Sequence, residues 1–208
     1  MILNKEELAV LDVFRKNPYK NLSIRDVQKI SKKASKPYVF NTLRKLETGG
    51  FVDKTILGTS GSYKARLSVQ TVKYFSILDF EEYETSKIPK KAVERIIINV
   101  KPKKIPFCLI VFGSYARGNA TAKSDLDVVL LVGSDAEKKK IFPVMESVCL
   151  RELVDIHYDI LTTGEFIEML LVEEANVGKE IAYNHIIIYG NEIYYQLIEE
   201  AHKHGYSG

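Results

Sequence analysis

Tryptophan is absent from this chain, cysteine occurs twice and proline six times. No apolar run approaches the roughly 20 residues that a membrane-spanning helix needs. Neither cysteine, Cys108 nor Cys149, belongs to a Cys-x-x-Cys pair, and each lies in an apolar stretch. That argues against a disulfide-stapled scaffold or a thiolate metal site and predicts two buried free thiols. The first residues, Met1 to Leu8, carry charge where a signal peptide carries its apolar segment. The expectation is a cytoplasmic protein with no membrane partner. Internal repeats and low-complexity tracts are also missing. The remaining composition, 46 % hydrophobic and 27 % charged over 208 residues, is that of a globular chain able to bury a core.

Acidic charge is scarce in one part of the chain only. Residues 1–75 hold 15 Lys and Arg against 6 Asp and Glu, a net of +9, whereas residues 76–208 hold 15 against 21, a net of −6. The overall +3 conceals this division. A basic segment joined to an acidic one points to two domains with different partners, the basic one suited to a polyanion.

In the basic segment, Leu8, Leu11, Val13 and Phe14 recur at helical spacing behind Asn4-Lys5-Glu6-Glu7. Ser23 and Asp26 have capping-box spacing ahead of Val27 and Ile30. Ser35-Lys36-Pro37 opens a third helix with a stripe of Val39, Leu43 and Leu46, ended by Gly49-Gly50. Two extended stretches, Phe51–Leu57 and Ser62–Leu67, flank Gly58-Thr59-Ser60-Gly61 and read as a hairpin. Three helices and a hairpin in this order resemble a winged helix-turn-helix domain, with Tyr38–Glu47 in the place of the recognition helix. The resemblance implies duplex DNA as a partner. Lys36, Tyr38, Asn41, Thr42 and Lys45 would face the major groove, and Lys54, Lys64 and Arg66 would reach phosphates from the wing. The alternative is a winged helix used for protein docking or for a homodimer.

Ser68 to Glu84 mixes aromatic and acidic residues without a clear period, and a helix packing between the domains is one reading of it. Pro89 to Ile97 reads as a helix with Pro in its first turn, ending at Lys101-Pro102.

Beyond the join, Phe107–Phe112 is a continuous apolar run that reads as a buried strand, followed at once by Gly113-Ser114 and a short turn, Tyr115-Ala116-Arg117-Gly118. Ser124–Val132 reads as a second strand. Asp125 and Asp127 are two apart and so share one face of it, opposite Leu126, Val128 and Leu130. Two adjacent carboxylates near a buried strand repel each other unless a cation lies between them, and Mg²⁺ binds through one or two carboxylates together with substrate phosphates. Gly113 lets the backbone approach a phosphate closely, Ser114 and exposed N–H groups can donate to it, and Arg117 matches its geometry.

Gly113-Ser114, ten intervening residues and Asp125-Leu126-Asp127 resemble the signature of the DNA polymerase beta nucleotidyltransferase superfamily. The fuller stretches Phe112–Gly118 and Ser124–Val128 are similar to its small branch, the minimal nucleotidyltransferases, and the resemblance covers about residues 88–204. It implies a mixed-sheet α/β domain at 101–208, after a winged helix at 1–75 and a connecting helical segment at 76–100. It further implies transfer of a nucleotide from NTP to a hydroxyl with Mg²⁺ or Mn²⁺ held by Asp125, Asp127 and a third carboxylate, and Gly113, Ser114, Arg117 and Ser124 contacting the nucleotide. Asp155, flanked by Val154 and Ile156, fits the third position, and Asp159 on the same strand face is the other choice. The acceptor is open: a small-molecule hydroxyl, an RNA end or a protein tyrosine. Two other functions remain in view, a regulator that senses nucleotide without turnover and an antitoxin that nucleotidylates a partner toxin.

His157 shares the face of Asp155 and Asp159, where a His could be a ligand or base, and reads rather as a partly exposed, hydrogen-bonded residue. His185 reads as structural, and Lys138-Lys139-Lys140 as a solvated helix face. Asp135–Leu150 is expected to be a helix interrupted by Pro143, and Thr163–Ala182 to be helical.

Overall fold

The computed structural model describes every residue except Ala34, Gly58 and Thr59. The chain divides into two compact units, Met1–Leu78 with Ser207–Gly208, and Asp79–Tyr206. Residues 76–78 carry no charge, so the first unit keeps the net side-chain charge of +9.

In the first unit the helix starts are set by side chains that satisfy otherwise orphaned N–H groups. In α1 (Lys5–Asp12) the Asn4 side chain accepts from the Glu7 N–H at 2.9 Å, and the Glu7 carboxylate accepts from the Asn4 N–H at 3.0 Å. Ser23 and Asp26 make the same reciprocal pair at α2 (Ile24–Ile30). At α3 (Lys36–Thr48) the Ser35 hydroxyl accepts from the Tyr38 N–H, with Pro37 in the first turn. Val39, Leu43 and Leu46 are wholly buried, on a helix that packs against α1 and α2. Strands β2 (Val52–Leu57) and β3 (Ser60–Ala65) pair antiparallel in the register Val52↔Ala65 to Leu57↔Ser60. The tip residues Gly58 and Thr59 of the expected hairpin lie outside the described residues. A two-residue strand, β1 (Leu22–Ser23), adds to the other side of β3. Three helices and this three-stranded sheet have the winged helix-turn-helix arrangement.

The unassigned join is a 17-residue helix, α4 (Val69–Thr85). Its pattern is masked because an acid shares its buried side. Asp79 is fully buried and accepts from Asn191 Nδ2 at 2.8 Å and from the Tyr195 hydroxyl at 3.3 Å, both on α10 (Asn191–Lys203). These donors offset the desolvation that an isolated buried carboxylate would suffer. Pro89 stands at the cap of α5 (Lys90–Val100), one place ahead of the expected first turn.

The second unit is built on a mixed sheet in the order β6-β5-β4-β7. Its strands are β4 (Phe107–Val111), β5 (Leu126–Val132), β6 (Ile156–Thr162) and β7 (Ile186–Tyr189). β4 runs antiparallel to β5 and β7, and β5 runs parallel to β6. Leu126, Val128 and Leu130 join Leu109, Val111, Val93, Ile96, Ile141 and Met145 in one buried cluster. This places α5 and α7 (Asp135–Cys149) over one face of the sheet. α10 and α8 (Thr163–Leu171) pack on β4 and β5 as well.

Two expectations about helices change. α7 is continuous through Pro143. The stretch 163–182 is two helices, α8 and α9 (Val177–Tyr183), because Val172 turns extended and Asn176 recaps the chain by accepting from the Lys179 N–H. Of the two thiols, Cys108 is fully buried and Cys149 is half-buried. Burial raises the pKa of both.

Candidate active site

The end of β4 and the start of β5 lie side by side, with Val111 opposite Val128. Beyond Val111 the Phe112 N–H donates to the Asp127 carbonyl at 3.0 Å. The chain then turns into a four-residue helix, α6 (Gly113–Ala116). Gly113 has φ +65°, and a Cβ at that position would overlap the Asp127 carboxylate. The carboxylate thus lies directly against the glycine backbone, a cradle that any side chain would fill.

Asp125 sits one residue ahead of β5 and Asp127 within it. Their side chains are 42 % and 27 % exposed. Burial raises the pKa of Asp127. His157 opposes that rise, Asp125 and Glu180 add to it, and Arg117 opposes it. Burial is thus the main obstacle to the charged form of Asp127, and a bound cation would favour that form.

In the parallel register of β5 and β6, Asp127 stands opposite His157 and Leu126 opposite Ile156. The Leu126 N–H donates to the Asp155 carbonyl at 2.8 Å. Nδ1 of His157 is 3.7 Å from a carboxylate oxygen of Asp125 and 3.7 Å from one of Asp127. Asp155 lies just ahead of β6 and is exposed. Asp159 lines a cavity of about 450 Å³ with Asp135, Lys138, Lys139, Phe142 and Tyr158. Asp125 and Asp127 do not line this cavity, so its size does not mark it as the place of the chemistry. Among the described residues, no three His, Cys, Asp or Glu side chains form a ready-made metal cage. Two carboxylates suffice for a cation that takes its remaining oxygens from phosphate and water.

Arg117 follows α6 and pairs with Glu180 of α9 at 2.5 Å. Both side chains are 41 % exposed, so Arg117 can be drawn away by an anion of higher charge. Ser124 shapes the loop ahead of Asp125, its hydroxyl accepting from the Thr121 N–H at 2.9 Å. Ser114 is half-buried in α6, and its carbonyl accepts from the Asn119 N–H. Glu180 is the site residue that the sequence did not indicate. It lies 63 residues from Arg117, on a helix whose start was hidden within a longer apparent one. His185 is buried against the carbonyls of Ile181 and Ala182, in keeping with a structural role.

In the first unit, Lys36, Asn41 and Lys45 are exposed on α3 and Tyr38 is half-buried. Thr42 corrects an expectation: at 5 % exposure it faces inward. It lies three residues after Val39 and four before Leu46, within the helical stripe that packs on α1 and α2. Arg44, not anticipated, is exposed and stacks over Phe40 at 5.9 Å. Lys45 is held by Glu7 at 2.6 Å. On the wing, Lys54 and Lys64 lie over the rings of Tyr63 and Tyr19, and Arg66 Nε donates to Asp53 at 2.9 Å.

Among known proteins, no curated protein matches the chain. A solved structure described as "Structure of TrmBL2, an archaeal chromatin protein, shows a novel mode of DNA binding" is 19 % identical over 81 % of this chain and 68 % of that chain, with a TM-score of 0.29. Among the described residues no helix is long and apolar enough to cross a membrane. Residues 94–189 match the nucleotidyltransferase domain family, and their span encloses β4, Gly113-Ser114, the carboxylate pair and β6. The chain carries a nucleotidyltransferase domain.

Proposed function

We propose that the second unit transfers a nucleotide from an NTP to a hydroxyl acceptor in the presence of a divalent cation, Mg²⁺ or Mn²⁺. The observation that carries this reading is the Asp127 carboxylate seated against the Gly113 backbone beside Asp125. Asp125 and Asp127 would hold the cation, and Asp155, at the start of the neighbouring strand, would supply the third carboxylate. When bound, the cation neutralises charge on the triphosphate and lowers the pKa of the attacking hydroxyl. The chain's own groups do the positioning. The Gly113 backbone lets the Asp127 carboxylate sit close to the turn, Ser114 and Ser124 would donate to the phosphates, and Arg117 would leave Glu180 to form a charge-assisted contact. All five motif residues, Gly113, Ser114, Asp125, Asp127 and Asp155, are intact, which favours turnover over nucleotide sensing alone.

The first unit is proposed to bind duplex DNA. Its support is the +9 charge on a winged helix-turn-helix arrangement, with Lys36, Asn41, Arg44 and Lys45 exposed on α3. The acceptor is to be found by incubating the chain with each α-labelled NTP, Mg²⁺ and cell extract. Label should enter an RNA, a protein or a small molecule with wild-type protein and not with Asp127→Asn. Equal labelling by the two proteins would remove the proposed chemistry.

A further inference from the structure

On the sequence, His157 could be a ligand or base but reads more readily as a hydrogen-bonded residue; its surroundings in the structure point the other way. It occupies the position directly opposite Asp127 in the parallel pairing of β5 with β6. The β-strand period turns its side chain to the same face of the sheet as Asp127. Nδ1 lies 3.7 Å from an oxygen of each carboxylate. That is too long for a hydrogen bond, which for nitrogen and oxygen spans about 2.7–3.2 Å. The imidazole is therefore equidistant from two carboxylates and hydrogen-bonded to neither, and a gap separates the three groups. Donor atoms sharing one metal ion, each about 2.1 Å from it, lie about 3.0–3.4 Å apart at ordinary coordination angles. The gap exceeds that by only a few tenths of an ångström. The His157 side chain is 68 % exposed, so a small rotation about its own bonds closes the difference without moving β6.

We propose that His157 is a nitrogen ligand of the cation held by Asp125 and Asp127. The inference rests on the proposed nucleotidyltransferase reading and deepens it by naming the class of cation. A set of carboxylates, water and phosphate suits Mg²⁺. Replacing one oxygen by an imidazole nitrogen moves preference toward first-row transition-metal dications, which bind nitrogen more strongly. Asp155 remains on the neighbouring, Asp125 side of the strand pair, where it can serve a second cation. The site would thus pair one nitrogen-bearing position with one all-oxygen position.

The test uses the untagged full chain with Mn²⁺ and inorganic tripolyphosphate, which brings phosphate oxygens but no nitrogen of its own. Pulsed electron paramagnetic resonance of the bound Mn²⁺ should show the ¹⁴N coupling of a directly bound imidazole. His157→Gln should lose that coupling and still bind Mn²⁺. Competition with Mg²⁺ should show the preference for Mn²⁺ falling about 10-fold or more in His157→Gln, the scale on which ligand-shell changes alter metal affinity. His157→Asp should bind Mg²⁺ more tightly than the wild type. Mn²⁺ bound with oxygen ligands alone, or an unchanged Mn²⁺-to-Mg²⁺ preference in His157→Gln, would overturn the role of His157 and leave the nucleotidyltransferase reading standing. No Mn²⁺ binding by the wild type, with tripolyphosphate or with NTP, would overturn both.

Discussion

Gly113 concentrates two demands in one residue. Its φ of +65° is strained for any residue with a side chain, and the Asp127 carboxylate occupies the volume of a Cβ. Gly113→Ala should therefore cost roughly 1–3 kcal/mol of stability and abolish transfer, because the carboxylate must move. Asp127→Asn should abolish transfer without loss of stability. Burial raises the Asp127 pKa, so the folded state disfavours its charged form, and a neutral side chain of the same shape removes that cost. Thermal melts at pH 7 and NTP turnover measure both effects. An Asp127→Asn protein with wild-type turnover, or a Gly113→Ala protein with wild-type melting and turnover, would remove the cradle from the argument. Asp125 and Asp127 were legible as a pair through strand alternation, and Gly113 was joined to them by the family resemblance that its spacing carries. Glu180 was not, because its link to Arg117 is a tertiary contact between residues far apart in the chain. Thr42 misled for a related reason: a hydroxyl is compatible with either side of a helix, and the side is set by what packs beside it.

Elements whose ends are written in side chains were the easiest to read. Asn4 with Glu7, Ser23 with Asp26 and Ser35 each cap the helix that follows. α4 was opaque because Asp79, an acid, lies on its buried side. The break between α8 and α9 was hidden because Glu173 and Glu174 are compatible with a helix, while Asn176 ends one and starts another through its side chain. Strand β6 carries both candidates for the proposed third carboxylate, Asp155 just ahead of it and Asp159 within it. At about 3.3 Å per residue their Cα atoms are about 13 Å apart along a strand, too far to serve one cation pair together. Asp155 is placed beside the start of β5 by the Leu126 N–H to Asp155 carbonyl bond, whereas Asp159 lies opposite Val129 and borders the cavity with Lys138 and Lys139. Asp155→Asn should then cut turnover by orders of magnitude with NTP binding retained, and Asp159→Asn should change turnover little. Single-turnover kinetics beside equilibrium NTP binding would distinguish them, and the opposite ranking would refute Asp155 as the third carboxylate.

For the molecule as a whole, charge is the property that separates the two units. The unit at Met1–Leu78 carries +9 and the residues after it carry −6, so a polyanion is attracted to the first and repelled by the second. If the first unit holds duplex DNA through phosphate contacts, each contact releases counterions, and log K falls with log salt at about −0.9 per phosphate neutralised. Lys64 and Arg66, on and just after β3, are the wing cations to test together. Each now has an internal partner: Lys64, half-buried, lies over the buried ring of Tyr19, and Arg66 pairs with Asp53 at the surface, where water limits the strength of the pair. A phosphate can therefore compete for Arg66 most readily. Lys64→Glu with Arg66→Glu in the full chain should weaken binding to every duplex sequence alike and flatten the salt slope by about 2. A change at Arg44 or Asn41 on α3 should instead alter the preference among sequences. Neither set should change NTP turnover with a small acceptor, and Asp127→Asn should not change DNA affinity. Fluorescence anisotropy over a salt series, with random and self-promoter duplexes, reads all of these outcomes. A wild-type chain that binds neither duplex at low salt would assign the winged helix to protein docking, and a salt slope unmoved by the double reversal would remove the wing from the DNA contact.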